Sequence, residues 1–117
     1  MNKRIKCAEI VSGVVKDATI GFSSAFTLVN ERFDILKQYC DFIDLIFDET
    51  DGLGFEVSID NFSKEICIKI IARDIFIEAR KEDLIELSKR ANSMEFSRED
   101  DDMIGMSFVF PSMWERV

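Results

Sequence analysis

Histidine is absent from the 117 residues. With it go the side chain that titrates near neutrality, the Ser-His-Asp type of triad and His-ligated zinc. The three cysteines, Cys7, Cys40 and Cys67, stand 33 and 27 residues apart. That spacing matches neither a paired metal knuckle nor a disulfide framework of even count, so they read as buried thiols in a reducing compartment. Proline occurs once, at Pro111, where it ends a strand. Uncharged apolar runs stay far below the roughly 20 residues of a membrane helix. At the N-terminus Glu9, Lys16 and Asp17 interrupt what would be the apolar stretch of an export signal. The expectation is a cytoplasmic protein with no membrane association.

Apolar residues make up 47% of the chain, among them 15 Ile and 11 Phe, enough to build a packed core in spite of a net charge of −8. One domain, 1–117, is expected from the length. The charge is uneven: +3 over residues 1–16, −8 over 17–60, +1 over 61–91 and −4 over 92–117. An acidic chain repels phosphate backbones and anionic lipid, so nucleic acid is not an expected partner.

Residues 2–17 read as an amphipathic helix with Cys7, Ala8, Ile10, Val11, Val14 and Val15 on one stripe. Residues 18–26 read as a linker in which Ser23 or Ser24 caps a second helix, about Thr27 to Glu49, stopped by Asp51-Gly52. From Phe55 the period becomes two, through Phe55, Val57 and Ile59 and then Ile66, Ile68 and Ile70, with Ile75 to Arg80 as the third strand of a meander. Glu82 to Ala91 reads as a short helix with acids in its first turn and Lys89-Arg90 in its last. Met94 to Arg98 and Met103 to Phe110 form a final hairpin across the acidic turn Glu99 to Asp102. The order αα-βββ-α-ββ gives an α+β, two-layer domain with an antiparallel sheet of about five strands. In element order alone, this small acidic domain resembles the α+β fold of secretion chaperones, a likeness of architecture that implies nothing about activity.

Several acidic or glycine-rich stretches invite a chemical reading and fail it. Four consecutive acids from Glu99 to Asp102 cannot converge on one cation from an extended turn. Aligning Gly52 with the obligatory glycine of a calcium loop puts Phe47 and Ser58 at ligand positions, and Gly52-Leu53-Gly54 follows a helix where a phosphate loop would open one. Asp60 and Asp74 sit in turns. No metal, cofactor or catalytic constellation is therefore expected.

Two surfaces stand out. Asp34, Asp41, Asp44 and Asp48 fall within about 80° of the second helix, opposite its apolar stripe, as an acidic ridge suited to a basic protein partner. The C-terminal segment is apolar on both strand faces, which assigns Met103, Met106, Val109, Met113 and Trp114 to a partner or dimer interface. The resulting expectation is a non-enzymatic, homodimeric protein-interaction module. The second class is a small-molecule binder or cofactor-free enzyme with a pocket between sheet and helices, where Glu56 or Lys69 would handle a proton. The third is a structural or regulatory subunit that makes contact through its helical hairpin.

Overall fold

A computed structural model describes residues 6–22, 24–47 and 54–117. The elements in chain order are α1 (Cys7–Phe22), β1 (Phe26–Leu28), α2 (Asn30–Ile46), β2 (Gly54–Ile59), β3 (Ile66–Arg73), α3 (Asp74–Ala79), α4 (Lys81–Arg90), β4 (Ser93–Arg98), β5 (Met103–Phe110) and β6 (Trp114–Arg116). The fold is α+β with antiparallel sheets. Four strands lie in the order β2-β3-β5-β4, and β1 with β6 makes a separate ribbon.

Period-two patterning sets the sheet's two faces. Ile66, Ile68, Ile70 and Ala72 of β3 are fully buried on one face, and their register partners Phe110, Phe108, Met106 and Ile104 of β5 continue that face. Onto it pack Cys7, Val11 and Val15 of α1, Leu36, Cys40 and Ile43 of α2, and Leu84 and Leu87 of α4. Each large apolar side chain removed from water in this way contributes about 1.5–3 kcal/mol before ordering costs.

The expected third meander strand is instead the helix α3. The vacant side of β3 is taken by β5, a partner distant in sequence, so residues 74–80 have no place in the ladder. Asp74 N–H donates to the carbonyl of Asp102 at 2.9 Å, which ties the start of α3 to the β4–β5 turn. Ile77, Leu84 and Leu87 then recur at helical spacing and reach the core. With the third strand goes the element order on which the likeness to secretion chaperones rested. Arg80 forms the joint between α3 and α4. It leaves helical geometry (φ −113°, ψ 19°), while its guanidinium donates to the carbonyls of Ile46 and Phe76 and lies 5.4 Å from the Phe47 ring centre.

Other boundaries also differ from the sequence reading. Helix α1 runs on to Phe22, and α2 begins at Asn30 after an extended Val29 that provides no side-chain cap. The proposed cap Ser24 lies in a turn before β1, while Ser23 and the Asp51-Gly52 stop fall outside the described residues. The C-terminal segment turns back at Pro111 to pair with β1, in the register Leu28 to Trp114. That ribbon seats Trp114 against the Phe22 ring at 5.3 Å, edge to face, with its Nε1–H donating to Thr19 Oγ1 at 2.9 Å. Among the described residues no helix is long and apolar enough to cross a membrane.

Candidate functional site

The four carboxylates of the expected acidic ridge have separate fates. Asp34 and Asp41 are exposed on α2, and Asp34 faces Lys37 at 3.9 Å. Asp44 is half-buried and turned toward α1, where Oδ1 and Oδ2 accept the N–H groups of Cys7 and Ala8 at 2.8 and 3.1 Å. It caps a neighbouring helix, satisfying two amides at the positive end of that helix's dipole. Asp48 lies outside the described residues.

The apolar C-terminal set divides as well. Met106, Met113 and Trp114 are buried in the chain's own core. They are therefore closed to a partner, because the β1–β6 ribbon and the helices already cover them. Met103 and Val109 point to the other face of the sheet and are half-buried. That face carries rows set by the register: Ser58, Cys67, Val109 and Ser93 in one, then Glu56, Lys69, Ser107 and Glu95, then Gly54, Ile71, Gly105 and Ser97.

Across this face Lys69 Nζ pairs with Glu99, which also accepts a hydrogen bond from Ser97 Oγ at 2.8 Å. The pair passes directly over Gly105. A Cβ there would stand 2.6 Å from Glu99 Oε1 and 2.7 Å from Lys69 Cε, so the missing side chain makes room for the bridge. The hydrogen bond to Glu99 raises the Lys69 pKa above its ordinary value, and the bonds from Lys69 and Ser97 hold the Glu99 carboxyl below its own. Lys69, considered from sequence as a proton-handling group, is thus held protonated. Glu56 is exposed opposite it, so neither sits desolvated in a cleft.

A row of outward-facing backbone groups lies along β4. The strand is an edge, since the order ends β3-β5-β4. Glu99 N–H donates to Met103 O and Asn92 N–H to Val109 O, at 3.0 and 2.7 Å, so odd-numbered carbonyls of β5 point toward β4. Ladder bonds alternate along an antiparallel pair, and the register couples odd residues of β4 to odd residues of β5. Met94, Phe96 and Arg98 therefore turn their N–H and C=O groups away from the sheet.

Their side chains lie on the helix-side face, and Phe96 is 61% exposed. Beside it Ile85 of α4 is 47% exposed, and a groove of about 320 Å³ runs between α4 and the β4–β5 pair, floored by Leu84, Ile104 and Met106. An unpaired strand edge and an apolar shoulder thus coincide. Sequence reading placed Phe96 within the hairpin strand Met94 to Arg98. Its alternation with Glu95 and Ser97 was visible, but the edge position was not, because it depends on β5 pairing with β3.

Comparison of the chain with protein-family models, curated proteins and solved structures returned no match.

Proposed function

We propose that this chain is a non-enzymatic protein-interaction module that assembles by pairing β4 with β4 of a second copy. The observation that carries the reading is the outward-facing ladder of Met94, Phe96 and Arg98 beside the exposed Phe96 and Ile85. Two antiparallel copies of the strand arranged around a two-fold axis at Phe96 set Phe96 on Phe96 and Met94 on Arg98. All outward amides of the three residues then find acceptors, and the sheet becomes continuous through eight strands.

Charge supports this register over its neighbour. Centring the axis on Glu95 would also bond the outward groups of Met94 to those of Phe96, but it would oppose two carboxylates directly. With Phe96 on the axis, Glu95 faces Ser97 of the second copy instead. The two aromatic rings and the flanking Met94 and Ile85 side chains come together over the grooves, which supplies the apolar contribution an edge pair needs.

Light scattering across about 1 μM to about 1 mM tests the reading, a range that covers small interfaces. The expected mass rises to twice the 13.5 kDa of the chain, and Phe96→Glu remains at the single-chain mass with its circular dichroism unchanged. A wild-type chain that stays monomeric at the top of the range, or a Phe96→Glu variant that still dimerises, contradicts the reading.

A further inference from the structure

We infer that a trough between α2 and α4, on the helix side of the sheet, binds a small organic carboxylate with an apolar body. Arg32, Leu36 and Tyr39 lie on one face of α2 at helical spacing, and Arg90, the last residue of α4, stands across from them. Together with Phe110 and Met113 they line a compartment of about 220 Å³. A second compartment of about 260 Å³ shares Tyr39 and Arg90 and extends the trough toward Phe42 and Leu87.

Charge sets the ligand's head group. In a chain with 23 acidic and 15 basic residues, both charged side chains lining the first compartment are arginines. Arg32 bonds Glu115 at 2.6 Å and Arg90 meets Glu86 at 3.6 Å, both as exposed pairs that exchange readily. Each guanidinium carries five N–H donors in a fork that matches a carboxylate. Arg90 sits at the negative end of the α4 dipole, which disfavours a dianion, so one carboxylate suits the site better than a phosphate ester.

The floor sets the ligand's body. Tyr39 stacks on Phe110 with ring centres 5.3 Å apart, and Leu36 and Met113 are almost fully buried beneath. An aryl or alkyl chain laid on this floor removes apolar surface from water while its carboxylate reaches the arginines. Each compartment lies below the roughly 300–1,000 Å³ of drug-sized sites, which keeps the ligand small.

Titration of the isotope-labelled full chain with 3-phenylpropionate, followed by amide spectra, tests the inference. Shifts are expected at Leu36, Tyr39, Arg90 and Met113, with a dissociation constant below about 1 mM. The uncharged 3-phenylpropan-1-ol is expected to bind about tenfold more weakly, as is the carboxylate to Arg32→Gln or Arg90→Gln. Equal binding of acid and alcohol, shifts elsewhere, or none up to about 10 mM overturns the inference. So does recognition of an acidic peptide at the trough with phenylpropionate inert. The acid–alcohol comparison uses the wild-type chain, so it holds even where a variant misfolds.

Discussion

Asp44 and Asp41 sit three residues apart on α2, yet they are bound to different fates. Asp41 is exposed, whereas Asp44 holds the first amides of α1. Replacing Asp44 by Ala is expected to cost about 1 kcal/mol, the usual worth of a helix cap. Asp41→Ala is expected to stay within about 0.5 kcal/mol, both read as shifts of the urea midpoint at constant slope. Equal effects would mean that Asp44 is surface charge alone. Sequence periodicity placed both residues on the polar side of one helix and could not see the second helix arriving there. Lys69 and Glu99 behave differently again, because their bond links ionisation to folding. Glu99, lowered from an ordinary 4.5, contributes stability at neutral pH that is lost as pH falls through its folded value. Lys69, raised from 10.5, contributes below that pH and loses its contribution as pH climbs through its own folded value. The difference in Tm between wild type and Glu99→Gln is therefore expected at pH 7 and should close below about pH 4.5. A gap that stays constant down to acid unfolding would argue against the bridge.

Among the elements, those governed by local rules were legible and those governed by distant pairing were not. The alternation of Phe55, Val57 and Ile59 and of Ile66, Ile68 and Ile70 announced β2 and β3, and the acidic turn announced the β4–β5 hairpin. Residues 75–77, Ile-Phe-Ile, are equally apolar in either period, so only the capture of β3 by β5 decides that they coil into α3. The same capture makes β4 an edge and Phe96 a surface residue. Trp114 and Met113 were read as interface for a similar reason: their cover comes from a ribbon of three-residue strands separated by most of the chain. Arg80 is the element-scale test of this arrangement, since one side chain joins the ends of α2 and α3 at the start of α4. Arg80→Ala is expected to lower stability by about 2 kcal/mol through loss of hydrogen bonds from a charged donor and of its contact with Phe47. A loss below about 0.5 kcal/mol would show that the joint holds without it.

On the scale of the whole molecule, one face of the sheet is packed by helices that leave Phe96 of β4 exposed, the other carries the Lys69–Glu99 bridge, and at the β4 edge backbone and apolar surface meet solvent together. The net charge of −8 does not oppose self-pairing at that edge, where each strand brings one carboxylate, Glu95, and one guanidinium, Arg98. Outward amides protected only by a second copy give the most direct readout. Hydrogen exchange at single-amide resolution should find Met94, Phe96 and Arg98 slow in concentrated wild-type protein, and Met94 and Arg98 fast in Phe96→Pro, whose ring removes an outward N–H that the chain's own ladder does not use. Glu95 and Ser97 should remain slow in both, held by β5. If Met94, Phe96 and Arg98 exchange freely in the wild-type chain at about 1 mM, the edge-pairing account is contradicted.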